Sequence, residues 1–278
     1  MDSVDKKIIL SLFKDGRISQ RKIAEEVGLS ATSLNYRFNK LLEDKIIKSF
    51  SLYVNPNFYG KFVARASFKN SKDFDSKFVN VKVKCLEEEN VYEIEGTSVN
   101  DLQDKISYMS KELGEYSMIY IPEQNPQKPS GVDIEIVKTL IKNPRMDIGE
   151  IAKEINIPSK TILRRLNALI NKNFIRIIPI IDISKSDIIV FGVFSRIVNK
   201  MEYLNQCEFL RFTDGERGIV VCAVDSLKTA ESYVNQIRKQ DDNAKIMIAT
   251  EYEIRNDNAK EELEKIEKQA ILNNMEDS

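Results

Sequence analysis

Two stretches carry polar and cationic side chains at matched positions. Residues 30–40 read SATSLNYRFNK and residues 158–168 read PSKTILRRLNA. In each, apolar residues four apart (Leu34 and Phe38; Ile162 and Leu166) fix the buried side of a helix. Thr32, Ser33, Asn35, Tyr36, Arg37 and Lys40 then face outward in the first, and Lys160, Thr161, Arg164, Arg165 and Asn167 in the second. Arginine can donate two parallel bonds to a guanine edge and asparagine can pair with an adenine edge. Hydroxyls and lysines suit phosphates. That is the chemistry of a helix laid in the major groove of double-stranded DNA.

Ser30 and Ser159 are placed to cap these helices, with their hydroxyls near the same surface. Arg17 and Arg145 precede the preceding helix of each copy, where a phosphate contact and a helix-cap pair are equally open. Lys48 and Arg176, on the extended segments that follow, complete the candidate DNA-binding set. Arg37 and Arg165 share a position, so an ion pair with an acidic neighbour competes with a DNA contact. Arg164 stands where the first copy has Tyr36, and both read as DNA contacts.

The positioning elements repeat as well. Sliding the chain by 128 residues lays Val4-Asp5 on Val132-Asp133, Arg17 on Arg145, Ile23-Ala24 on Ile151-Ala152 and Leu41 on Leu169, without a gap for about fifty residues. Each copy opens with a helical period (Val4, Ile8, Ile9, Leu12 in the first). A second short helix follows, then a tight turn at Gly28-Leu29 or Asn156-Ile157, then the third helix. Small Ala24 and Ala152 let the second and third helices cross closely. The segments at 45–55 and 173–183 are rich in β-branched and aromatic residues. Three helices followed by a β-ribbon make a winged helix-turn-helix.

Behind each head the pattern changes. Residues 61–121 predict strand (FVARASF), short helix (SKDFDSKF), strand (NVKVKCLE), strand (VYEIEGT), helix (DLQDKISYMSKEL) and strand (YSMIYI). Residues 187–253 predict the same order. This βαββαβ sequence specifies a ferredoxin-like unit. The first helix of each looks short, which would leave a sheet face for another sheet to cover. Asp214-Gly-Glu-Arg-Gly218 reads as a hairpin turn, with a ligand loop as the alternative.

The fold class is therefore α+β, two winged helix-turn-helix domains alternating with two ferredoxin-like domains. The divisions are 1–58 for the first head, 59–121 for the first regulatory unit, and 122–131 for a linker within the proline-rich IPEQNPQKPSG. The second head is 132–184 and the second regulatory unit 185–254. The charged segment 255–278 reads as a solvated, fraying helix, with an oligomer contact through Leu263, Ile266, Ala270 and Ile271 as the alternative.

Net charge is −1, yet residues 1–55 and 131–182 each carry +3, which leaves −7 elsewhere. Positive charge is thus sorted into the heads, as a polyanion partner requires. Histidine is absent, which removes histidine acid–base and metal chemistry. No nucleophile–base pair, metal cluster or phosphate-binding glycine loop is evident, so neither catalysis nor a cofactor is expected. Cys85, Cys207 and Cys222 show no CxxC spacing and read as free thiols, the last two able to approach each other on neighbouring strands. With no leader and no long apolar run, a cytoplasmic protein without membrane contact is expected.

Residues 2–58 resemble the head of the Lrp/AsnC (feast/famine) transcription regulators. The motifs are the DKKI start, DGRIS, the IA-x-x-VGLS turn, the R-x-x-x-L helix and the I-I-K wing. The resemblance implies a sequence-specific DNA-binding regulator whose RAM-like (ACT-like) sheets assemble chains into homo-oligomers, a dimer first, and can take a small-molecule effector. Members of that family carry one head and one regulatory domain, whereas this chain carries two of each. Its second head departs from the pattern, with NPRMD for DGRIS and INIPS for the VGLS turn. Two further readings stay open. One is a ligand-sensing or protein-interaction module with degenerate heads. The other is an enzyme like the sirohaem decarboxylases, which resemble this family and are expected to use the histidine this chain lacks.

Overall fold

The computed structural model describes residues 1–276. In the first head, α1 (Ser3–Lys14) is capped by Asp2, whose side chain accepts from the Val4 and Asp5 amides. Its buried side carries Ile8, Ile9, Leu12 and Phe13. Ser19 caps α2 (Gln20–Val27), which ends at Gly28 with φ +71°, a conformation glycine adopts without a Cβ penalty. Ser30 caps α3 (Ala31–Glu43) by accepting from the Ser33 amide, and Leu34, Phe38 and Leu41 face the core. The chain leaves through β1 (Ile47–Val54).

The first regulatory unit contains β2 (Phe62–Lys69), β3 (Val79–Cys85), β4 (Glu89–Gly96), α4 (Val99–Leu113) and β5 (Tyr116–Tyr120). The second head follows as α5 (Gly131–Lys142), α6 (Ile148–Glu154), α7 (Ser159–Asn171) and β6 (Ile175–Ile181). Asp147 caps α6, and Asn156, at φ +54°, stands where Gly28 stands in the first copy. Ser159 does not cap as expected. Pro158 holds the cap position, its carbonyl accepts the Thr161 and Ile162 amides, and Ser159 becomes the first helical residue. After the single turn α8 (Ile183–Ser186) come β7 (Ile189–Ser195), β8 (Glu208–Asp214), β9 (Arg217–Val224), α9 (Leu227–Gln240) and β10 (Lys245–Ile254), then α10 (Asp257–Glu276).

A β-ribbon was expected in each head, but one ribbon serves both. β1 pairs antiparallel with β6, from Ile47 opposite Ile181 to Val54 opposite Ile175. A single strand leaves its amides and carbonyls unpaired, and with one strand per head the partner must come from the other copy. Backbone hydrogen bonds thus tie the two heads together.

The regulatory strands form one eight-stranded sheet, ordered β5-β2-β4-β3-β10-β7-β9-β8. Each half keeps the ferredoxin-like order, and ten-residue β10 joins them by pairing first with β7 and then with β3. The sheet also closes on itself. Tyr120 of β5 meets Phe194 of β7 (ring centroids 5.9 Å), and Cys85, Met118, Ile219 and Met247 form a shared core, while Tyr53 of the ribbon reaches in to Phe212 (5.7 Å). The face-to-face pairing expected between two chains is therefore made within one. The other faces are covered by α4, through Leu102, Ile106 and Met109, and by α9, through Ala230 and Ile237.

Two regulatory expectations are corrected. SKDFDSKF is not helical; it offers only Phe74 and Phe78 as anchors, too little to nucleate a helix, and Phe74 packs instead against Tyr92 and Tyr108. Its counterpart in the second unit is a pair of 3-10 turns, Val198–Lys200 and Glu202–Gln206. Cys207 and Cys222 are joined as a disulfide rather than free, whereas Cys85 is free and buried. Asp214–Arg217 is the β8–β9 hairpin turn.

The tail is not a solvated helix. Ala259 and Leu263 of α10 are buried in the core of the second head, and Lys138 reaches Glu267 at 2.7 Å. Burying a leucine contributes about 1.5–3 kcal/mol. Two apolar residues four apart therefore suffice to dock a helix whose other faces are charged. Of the alternative contact residues, Ile266 packs against this same core and Ile271 stays exposed.

Candidate nucleic-acid interface

The outward face of α3 presents Thr32, Ser33, Asn35, Tyr36 and Lys40, all exposed, beside a groove that runs to Asp2 and Asp5 at the start of α1. Tyr36 is 69% exposed, the most open of the large hydrophobic side chains on the described surface of this head. Ser30 donates to the Ser33 hydroxyl at 2.9 Å, so these two hydroxyls first satisfy each other. On α7, Lys160, Arg164 and Asn167 are exposed with Ser159, while Thr161 is half-buried.

Arg37 is held by two carboxylates, Asp2 at 2.7 Å and Asp5 at 2.8 Å. These hydrogen bonds, with Asp5 the stronger influence, raise its guanidinium above the ordinary arginine range. Arg165 reaches Asp133 at 3.2 Å, the same relation moved by 128 residues. The ion-pair reading of this position is thus realised in both heads. Its geometry clamps the third helix to the first and leaves fewer donors for a base edge.

Three arginine positions are not where a free phosphate contact would need them. Arg17 donates to the carbonyls of Pro144 (3.1 Å) and Met146 (2.6 Å) in the second head. Arg145 donates back to the Ile18 carbonyl at 2.9 Å, with its guanidinium 4.6 Å from the Phe50 ring centre. Burial depresses both below the ordinary range, and each lies in the seam between heads. Arg176 donates to the Lys14 carbonyl at 2.6 Å, and its Nε is buried without a partner. Lys48 remains exposed and pairs with Asp182 at 3.4 Å. The three arginines are corrected to head-to-head contacts. Their carbonyl acceptors belong to the other copy, which no spacing within one copy reveals.

Two outward residues escaped the motif reading. Asn39 is exposed one turn beyond Asn35 on α3. Leu163 is 48% exposed at the place Asn35 holds in the first head, where an apolar side chain can meet a thymine methyl. The 128-residue offset was the signal that could have found it.

The two faces therefore differ in chemistry. One offers hydroxyls, amides, a tyrosine and a lysine; the other offers Lys160, Leu163, Arg164 and Asn167. Among the described residues there is no cluster suited to a metal ion, and no helix is long and apolar enough to cross a membrane.

A family model described as winged helix-turn-helix DNA-binding matches residues 1–48 and 130–176, both heads. The HTH-type transcriptional regulator FL11 of Pyrococcus abyssi is 30% identical over 113 residues, covering 40% of this chain and 74% of that protein. The HTH-type transcriptional regulator LrpA of Bacillus subtilis is 40% identical over 55 residues, covering 20% and 40%. The chain spans from 37 to 74% of the lengths of the curated relatives it matches. Among solved structures, the siroheme decarboxylase NirDL aligns over 91% of this chain and 93% of its own, with TM-score 0.41 and 14% identity, a likeness too low to argue from.

Proposed function

The chain belongs to the Lrp/AsnC family of winged helix-turn-helix transcription regulators, and from that premise we propose that it binds an asymmetric double-stranded operator with two unlike heads. The observation that carries this reading is the exchange of outward residues on equivalent helices: Thr32, Asn35, Tyr36 and Lys40 on α3 against Lys160, Leu163, Arg164 and Ala168 on α7. A homodimer presents the same helix twice and so favours a palindrome. Two heads on one chain are free to prefer different half-sites. The ribbon and the arginine seam favour reading them as one unit, because they fix the spacing between the helices.

In this reading Arg164 and Asn167 read base edges in one half-site and Asn35 and Tyr36 in the other, while Lys40 and Lys160 contact phosphates. The regulatory sheets serve as the sensor. Further assembly would use the open edge strands β5 and β8, since the inner faces are already closed against each other.

The test is selection of bound sequences from a randomised duplex pool with the full chain, followed by titration at several salt concentrations. A non-palindromic consensus, bound with log affinity falling linearly in log salt, supports the proposal. A palindromic consensus sinks the unlike-heads reading. No binding at low salt sinks the regulator reading and favours a protein-interaction module.

A further inference from the structure

Between the two halves of the sheet lies a cavity of about 120 Å³. Its walls are apolar side chains from both halves, among them Val83, Val91, Phe212, Val221, Met247 and Ala249. Four side chains with polar groups interrupt them: Tyr53, Arg65, Glu93 and Tyr252, the last with its hydroxyl already donating to the Pro179 carbonyl at 2.6 Å. The Arg65 guanidinium lies 3.5 Å from the centre of the Phe212 ring and pairs with Glu93 Oε2, to which the Tyr53 hydroxyl donates at 2.9 Å. All of that bonding goes to one carboxylate oxygen. The other, Oε1, is buried without any partner, and Glu93 as a whole is only 4% exposed. An orphaned carboxylate oxygen is costly to bury, so its persistence beside an apolar space needs an explanation.

We infer that this cavity is the effector site, and that it takes a small neutral molecule with an apolar body and one hydroxyl or amide donor, which meets Glu93 Oε1 once the carboxyl turns to expose that oxygen to the cavity. Volume sets the size. An apolar cavity of about 150 Å³ is enough for benzene, so this one admits roughly five or six heavy atoms. Charge sets the class. Arg65 and Glu93 already neutralise each other, so an ammonium would leave a net buried positive charge and a carboxylate a net negative one. A hydroxyl satisfies Oε1 and adds no charge. A free amino acid adds no net charge, but its ammonium and its carboxylate would each be buried with no ionic partner beyond the Arg65–Glu93 pair already made, and that desolvation cost excludes it.

The cavity is also wired to the heads. Tyr53 sits on β1 and Ile178 on β6, the two strands of the inter-head ribbon. Phe209, another wall residue, packs on Phe13 of α1 at 4.7 Å between ring centroids. Filling the cavity thus presses on the elements that set the spacing of α3 and α7. That consequence rests on the regulator reading; the binding itself does not, and it is measured without DNA.

The experiment uses the full chain labelled at methionine methyls and titrated with 3-methylbutan-1-ol, 3-methylbutan-1-amine and 2-methylpentane. The expected result is a saturable shift of the Met247 methyl and a raised Tm with the alcohol. The amine and the hydrocarbon should bind at least tenfold more weakly. Ala249→Leu, which fills the cavity, should abolish the alcohol response. Glu93→Leu, which removes the acceptor, should erase the preference for alcohol over hydrocarbon; these ligand comparisons on the native chain decide the matter if either variant does not fold. An unmoved Met247 methyl, the outcome for a cavity that holds only water, overturns the inference, as does equal binding by the amine. Loss of DNA binding with alcohol binding intact would count against the regulator reading alone.

Discussion

Arg17 and Arg145, equivalent residues 128 positions apart, each donate to backbone carbonyls of the opposite head, Arg17 to Pro144 and Met146 and Arg145 to Ile18. The contact is reciprocal, as at a two-fold interface, although both residues lie on one chain. Arg17→Ala or Arg145→Ala should each lower stability by about 1.5–3 kcal/mol, the worth of hydrogen bonds from a charged group. The slope of log affinity against log salt should stay unchanged, because no phosphate contact is removed. Denaturant titration and salt-dependent DNA binding check both parts. A slope lower by about one, with stability intact, would return these arginines to the DNA.

Arg164 and Tyr36 occupy the same position on the two third helices, and their removal should therefore differ in kind. Arg164→Ala should relax discrimination in one half-site by about 1–3 kcal/mol. Tyr36→Ala should do so only in the other. Competition binding with single-base variants of the selected operator measures this. Identical footprints of loss would mean the two heads read the same bases.

Leu263 is fully buried where α10 meets the second head. Leu263→Ala should cost about 2–5 kcal/mol. Hydrogen exchange should rise in α5 and α10 and stay low in α1 to α3. Protection lost evenly over both heads would show that the tail does not act locally.

Burial, with Glu89 adding to it, pushes the Cys85 thiol up to about 12. Well below that pH the thiol stays protonated, so at pH 8 the native protein should hold roughly a thousandfold less thiolate there than a free cysteine. Iodoacetamide should label Cys85 only after denaturation, and Cys207 and Cys222 only after reduction as well. Mass spectrometry of the native protein reads this directly. Prompt labelling at Cys85 would contradict the burial.

Gly28 and Asn156 hold equivalent left-handed turns at φ +71° and +54°. Gly28→Ala should destabilise the first head by about 1 kcal/mol, whereas Asn156→Gly should be nearly neutral, since glycine adopts this backbone freely. Thermal melts of the two variants compare them.

The heads were legible because their information is local. Caps at Ser19 and Ser30, the turn at Gly28 and the four-residue spacing of Leu34 and Phe38 are each set within a dozen residues. The order of regulatory strands was legible for the same reason. SKDFDSKF misled because its charges and two phenylalanines suit a helix, yet Phe74 finds Tyr92 and Tyr108 from an irregular path. The candidate interface was legible on α3 and α7, where a polar residue on the outward face stays outward. It was misread at Arg17, Arg145 and Arg176, which look alike in sequence whether they meet phosphates or carbonyls.

By itself, the sequence determined that the chain is a duplication, that each copy carries a helix-turn-helix with a distinct outward face, and that strands and helices alternate behind it. Those properties follow from periodicity and capping, which act over a few residues. Only the tertiary structure decided that β1 pairs with β6, that β10 fuses the two sheets, that α10 docks on the second head, and that Glu93 is left with one bare oxygen beside a cavity. Each depends on residues between about 28 and 200 positions apart meeting, and such meetings are selected by unpaired backbone groups and apolar area summed over the whole fold.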